Sequence, residues 1–271
     1  MSEEITIRRP ANVQEYHACQ RAQRLAWGIA DDSYVVPIAT MVGAQLHGGV
    51  VLGAFLPDGE AVGVSFAFLG RTGGRLCLYS QLTGVVPGRQ STGLGYRLKM
   101  AQRDLALESG VDLIAWAFDP LQAGNARFNL VKLGATSNRY VDDMYGPRTD
   151  ALNLGVPTDR LIAEWELAAP PRPDAATTHE WSTYSYLIES KAIADGSRAV
   201  VRTQPAEGSN VLVEIPHDIA GLRARDARMA EAWRLAVRES LTSAFAAGYR
   251  AVGFVGERSD ADRRAYYLLH R

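Results

Sequence analysis

Between Val85 and Lys99 the chain reads VVPGRQSTGLGYRLK, and its residue types fall in an order that suits an anion. A strand-like run from Leu76 to Val86 stops at Pro87, a short polar turn follows, and Gly93 and Gly95 open a segment of helical periodicity. A helix that begins inside a glycine pair presents N–H groups with no helical acceptor, partial positive charge from aligned peptide dipoles, and no Cβ to hold a phosphate away. Arg89, Arg97 and Lys99 add formal charge in the same stretch, which favours a pyrophosphate over a neutral ligand. Two other phosphate loops are excluded. A P-loop needs Gly-Lys-Ser/Thr after its second glycine, and a dinucleotide fingerprint needs Gly or Ala where Leu98 stands.

The elements that must position this loop can be read on either side of it. Ile5 to Arg9 is a short strand ended by Pro10, and Asn12 is a credible N-cap for a helix over Val13 to Trp27 that Gly28 closes. A second helix spans Pro37 to Leu46. Three β segments follow, Val50 to Leu56, Ala61 to Leu69 and Arg75 to Val86, joined by Pro57-Asp58-Gly59 and Thr72-Gly73-Gly74, which is the turn chemistry of an antiparallel meander. Beyond the loop, a helix over Gly93 to Glu108 leads to the apolar run Val111 to Phe118. Strand, crossover helix and strand in that order imply a parallel pair, with the glycine loop at a strand's carboxyl end, where α/β sheets bind ligands. A helix over Ala123 to Ala135, a β segment over Ser137 to Tyr145 and a strand over Arg160 to Leu167 complete residues 1–167.

This stretch resembles motif A of the GNAT superfamily of N-acetyltransferases, an Arg or Gln, two residues, Gly, one residue, and Gly or Ala, met here by Gln90, Gly93 and Gly95. Asn125, Lys132, Gly134 and Ala135 resemble motif B of the same superfamily, at the right distance downstream. The resemblance covers residues 5 to 167. It implies a mixed α/β sheet of the GNAT type and a co-substrate, acetyl-CoA or another acyl-CoA. The backbone of Val85 and Val86 would pair with the pantetheine arm, the amides of Gln90, Ser91, Thr92, Gly93, Leu94 and Gly95 would hold the pyrophosphate with Tyr96 also among the cofactor-binding residues, and Asn125 would bind near the pantetheine or the reacting end. The implied activity is N-acylation of a small-molecule amine.

Two departures stand against the superfamily pattern. The position that often carries a glutamate base holds Gln81, and the position that often carries a tyrosine acid holds Leu130. An amide cannot take a proton at neutral pH. Tyr79, Asp119, the pair Asp142 and Asp143, and Tyr145 are the candidates for proton transfer, water being another route, and a non-catalytic acyl-CoA-binding or regulatory module is the alternative reading. In the polar loop Gly146 to Leu161, Asp150, Asn153, Thr158, Asp159 and Arg160 are candidates to contact an acceptor.

Residues 168–180, rich in Pro, Ala and Thr, read as a linker. Residues 181–271 read as a C-terminal α/β region: short strands at Tyr184 to Glu189 and Arg198 to Thr203, a strand at Val211 to Ile215, a long helix over Ala227 to Gly248, and strands at Ala251 to Val255 and Ala265 to Leu269. The order suggests a degenerate GNAT half without a phosphate loop. Its sheet edge would need covering by the first domain or a second subunit, so a homodimer is an expectation.

Composition sets the bounds. The 271 residues are 47% hydrophobic and 22% charged with net charge −1, an ordinary globular balance with no basic field for nucleic acid or an anionic membrane. Cys19 and Cys77 give neither a disulfide framework nor a metal pattern, and the five histidines lie in unrelated contexts, so no metal site is expected. The start, MSEEITIRRP, is unlike a signal peptide, and a cytoplasmic protein is expected.

Overall fold

The computed structural model describes residues 4–90, 92–148, 155–169, 181, 183–193, 196–258 and 263–271. They pack as two compact units, the described residues of Met1–Trp116, Tyr145–Pro157 and Glu166–Ala168, and those of Ala117–Met144, Thr158–Trp165 and Ala169–Arg271. Ser91 and most of the expected linker, 170–180, lie outside the described residues.

The first unit contains β1 (Thr6–Arg8), α1 (Val13–Trp27), α2 (Ile38–Leu46), β2 (Val50–Phe55), β3 (Ala61–Thr72), β4 (Arg75–Val85), α3 (Leu94–Glu108) and most of β5 (Leu113–Phe118). The strands run β1-β2-β3-β4-β5; β2, β3 and β4 form the expected antiparallel meander, and β1 pairs antiparallel with β2. β5 lies parallel to β4, paired at Leu78 with Ile114 and Tyr79 with Ala115. Above Tyr79, β4 continues to Val85 against β3.

Helix α1 starts where its sequence dictates. Asn12 accepts the Glu15 N–H at 3.0 Å, the Glu15 carboxylate returns to the Ala11 N–H at 2.7 Å and takes a two-pronged bond from Arg8 at 2.6 and 2.8 Å, and Gly28 closes the helix at φ 60°. Its inner face, Ala18, Cys19 and Ala22, packs on Phe55, Ala61 and Val64. Gly84 leaves the sheet bare beneath it, because a Cβ there would stand 2.4 Å from the Trp27 ring. Helix α3 covers the other face of the same sheet, and a Cβ on Gly63 would meet Leu98 at 3.1 Å.

One irregularity breaks β4. Phe66 pairs with Leu82 but Ala67 pairs with Ser80, so Gln81 is an extra residue, a β-bulge, and its side chain is exposed.

The second unit holds α4 (Ala123–Ala126), which continues as a π-helical turn over Arg127–Lys132, then β6 (Thr136–Val141), β7 (Arg160–Glu166), β8 (Ser185–Tyr186), β9 (Ile188–Ala192), β10 (Arg198–Thr203), β11 (Asn210–Pro216), α5 (Ile219–Arg225), α6 (Ala227–Ala246), β12 (Arg250–Arg258) and β13 (Arg263–His270). Strands run β7-β6-β12-β13-β11-β8, and β9 pairs with β10 apart from them. β13 lies antiparallel between β11 and β12, so those two are parallel to each other, joined through α5 and α6. The single strand expected at Tyr184 to Glu189 is two, β8 and β9. Helix α5 was not expected; Asp218 caps it at the Gly221 N–H, and Asp226 caps α6 at Met229, both at 2.9 Å. Trp233, Val237, Leu241 and Ala244 give α6 its buried stripe, at helical spacing.

Candidate functional site

The loop after β4 has the geometry its glycines suggested. Val86 N–H bonds Val62 at 3.1 Å, and because bonded and non-bonded pairs alternate in an antiparallel ladder, Val85, opposite Gly63, turns its N–H and C=O away from β3. Of the two residues expected to pair with a pantetheine arm, Val85 therefore has its backbone turned outward, and Val86 has already given its N–H to the sheet. Pro87 and Gly88, the latter at φ 81°, form the turn closed by Arg89 N–H on the Val86 carbonyl at 3.1 Å. Gln90 Nε2 reaches back to the Val85 carbonyl at 3.3 Å, and Thr92 Oγ1 donates to the Arg89 carbonyl at 2.7 Å.

Gly93 is the N-cap of α3 at φ 84°, in the left-handed region, and no side chain caps the helix. Its first internal bond is Arg97 N–H to the Gly93 carbonyl at 3.1 Å, so the amides of Leu94 and Gly95 precede the helical ladder. The Cβ position of Gly93 has no heavy atom within 4 Å, and that of Gly95 meets Val85 Cγ2 at 4.0 Å. The Leu94 and Gly95 amides at an uncapped helix start, with open space at the Cβ positions of Gly93 and Gly95, fit the pyrophosphate the sequence implied. Tyr96 follows in the first turn, half-buried.

The charges differ from expectation. Arg97 donates to the Ile5 carbonyl at 3.0 Å. Lys99 belongs to the buried stripe Leu94, Leu98, Lys99, Gln102 and Ala106 and lies under the sheet. Its ammonium donates to Ser80 Oγ at 2.8 Å and Gln102 Oε1 at 3.3 Å and sits 4.1 Å above the centre of the Trp116 ring. Gln102 extends the chain to Ser65 at 2.9 Å, and Ser65 to Thr83 at 2.9 Å. Burial pushes the Lys99 amine down from 10.5 to about 7. Lys99 therefore adds no cationic charge at the loop.

Of the residues considered for proton transfer, Tyr79 and Tyr145 belong to the first unit and Asp119, Asp142 and Asp143 to the second. Tyr79 lies in β4 with its ring 5.4 Å from Phe68, packed beside Cys77, Leu113 and Ala115. Tyr145 is 39% exposed, and Arg148 lies over both its ring, at 5.7 Å, and that of Tyr34, at 4.4 Å. In the second unit, Asp119 accepts the Leu121 N–H at 2.9 Å and Arg234 at 3.2 and 3.4 Å. Asp142 is exposed, 3.9 Å from Arg238. Asn125 is exposed on α4, and Leu130 is buried.

The acceptor-contact expectation for the polar loop does not hold where the chain is described. Asp159 is fully buried and is a structural hub: it accepts the Tyr140 hydroxyl at 2.6 Å, the Asp143 N–H at 3.1 Å and the Arg238 guanidinium at 2.8 and 3.1 Å. Thr158 and Arg160 are buried beside it. Burial, then the bond to Asp159, pushes the Tyr140 phenol up. The sequence hides this hub because its partners lie up to 79 residues away. Asp150 and Asn153 lie outside the described residues. Among the described residues, no group of three His, Cys, Asp or Glu could hold a metal ion, and no helix is long and apolar enough to cross a membrane.

No family model matches the sequence, and no curated protein does. Solved structures do match. A protein from Desulfovibrio desulfuricans described as of the GNAT family of acetyltransferases aligns at 18% identity and TM-score 0.44, over 61% of this chain and 100% of its own. The ribosomal-protein-S18-alanine N-acetyltransferase of Escherichia coli aligns at 16% and 0.45, over 62% and 96%. FeeM, an N-acyl amino acid synthase from uncultured soil microbes, aligns at 15% and 0.46, over 61% and 92%. The likeness is to GNAT folds.

Proposed function

We propose that this chain is an acyl-CoA-dependent N-acyltransferase acting on a small-molecule amine. The observation that carries the reading is the join of β4 to α3, where an outward-turned Val85 backbone leads into an uncapped helix start lined by Gly93 and Gly95. Bound acetyl-CoA would supply a thioester carbonyl open to attack by an amine, with a thiol as leaving group. The Leu94 and Gly95 amides and the dipole of α3 would hold the pyrophosphate, and the outward-turned Val85 backbone would pair with the pantetheine arm and offer its N–H as a donor to the thioester carbonyl. Gln81, set at the bulge, can orient a water or an amine but cannot accept its proton, so the amine loses its proton to water or arrives neutral.

One observation favours the non-catalytic alternative: Gln81 and Leu130 lack titratable groups, and Asp119 is committed to Arg234. Calorimetric titration of acetyl-CoA and desulfo-CoA tests the shared part of both readings. Gly95→Glu is the diagnostic variant, since its Cβ fits without strain and its carboxylate would meet the pyrophosphate. Saturable binding lost in that variant supports the site, and no binding by the parent chain removes both readings. Thiol release with a panel of amines separates enzyme from binding module.

A further inference from the structure

The second unit holds a cavity of about 250 Å3 at the carboxyl end of β11, lined among others by Arg198, Glu214, His217, Arg225, Trp233 and Arg263. No residue of the glycine loop lines it. Its volume is slightly under the roughly 300–1,000 Å3 of drug-sized ligand pockets, the scale of a small metabolite. It opens at the carboxyl end of β11, where the chain passes through His217 and Asp218 into α5.

The wall is built rather than incidental. Glu214 is 1% exposed and is fully occupied: Arg264 bonds it at 2.7 and 3.1 Å, Ser190 at 2.8 Å, and Arg198 stands 3.3 Å away. Trp233 Nε1 donates to the Arg198 carbonyl at 2.8 Å, which fixes the indole in the wall. The Asp218 carboxylate is spent capping α5. Arg225 and Arg263 make no ion pair among the described residues. Glu214 is thus used internally, while Arg225 and Arg263 line the cavity together with His217 and Trp233. Guanidinium forks match carboxylate and phosphate oxygens in pairs, and an indole favours a planar body.

We propose that this cavity binds a small molecule carrying a carboxylate or phosphate group on a planar, apolar body. The test is calorimetric titration of the full chain, at fixed ionic strength, with inorganic phosphate, succinate, phenyl phosphate and phthalate, followed in parallel by tryptophan fluorescence. Saturable binding of phenyl phosphate or phthalate is expected, tighter than the matching non-aromatic anion, and the better of the two names the head group. Arg225→Glu with Arg263→Glu should weaken it by about tenfold or more with the thermal midpoint unchanged, and Trp233→Phe should reduce the aromatic preference. Gly95→Glu should leave it intact. No saturable binding of any probe would overturn the proposal, as would binding that survives the double arginine variant or disappears in Gly95→Glu.

Discussion

The ammonium of Lys99 lies 4.1 Å above the centre of the Trp116 ring and bonds Ser80 and Gln102, with no carboxylate of the described residues at ion-pair distance. A lysine so placed holds its proton weakly, and burial lowers its pKa to about 7 from an ordinary 10.5. Between these values the unfolded chain binds the proton and the folded chain does not, so this group makes stability rise with pH from about 7 to 10.5, by at most about 1.4 kcal/mol per pH unit. Urea unfolding of the parent chain and Lys99→Met across that window checks it. The variant should lose the rise; equal slopes in the two proteins would refute the assignment.

Glu15 titrates in the opposite sense. The bond from Arg8, and then the Ala11 N–H, hold its carboxyl down at about 2, so its contribution is complete above about 4.5 and disappears as pH falls toward 2. Glu15→Gln should cost about 1–3 kcal/mol at pH 7 and much less near pH 2. Denaturant midpoints at the two pH values decide it.

Asp159 is a buried charge answered by Arg238 and Tyr140. Asp159→Ala leaves Arg238 and the Tyr140 hydroxyl without their acceptor and should cost about 3–5 kcal/mol. A loss under about 1 kcal/mol would mean that water replaces the carboxylate.

Two glycines should respond with opposite signs. Gly84→Ala drives a methyl into the Trp27 ring and should cost about 1–3 kcal/mol. Gly43, inside α2 with nothing within 4 Å of its Cβ position, should gain about 0.5–1 kcal/mol on change to Ala. Thermal unfolding of the pair measures both.

The loop and the meander were legible because their signals are local: Pro87 and Gly88 make one turn, Gly93 opens one helix, and Asp58-Gly59 joins neighbouring strands. Lys99 was misread because its charge was weighed without its phase, although Leu94, Leu98, Gln102 and Ala106 put it on the buried stripe. The helix opening at Ala123 was legible, but not its continuation as a π-helical turn over Arg127–Lys132. Asp159 was illegible because a hub of this kind is assembled from β6, β7 and α6, and nothing near Asp159 in sequence announces Arg238.

The bulge at Gln81 works as a frameshift written in space. Before it, Ser80 faces α3 and takes the Lys99 bond; after it, Thr83 faces the same helix through Ser65, while Gly84 faces Trp27. Even-numbered residues point to α3 on one side of the bulge and odd-numbered residues on the other. Deleting Gln81 would therefore remove only the surplus residue: Ser80 and Leu82 would keep Ala67 and Phe66 as partners, Gly84 would stay beneath Trp27 and Val85 beside Gly95, whereas deleting a paired residue such as Leu82 would carry the next side chain onto the wrong face.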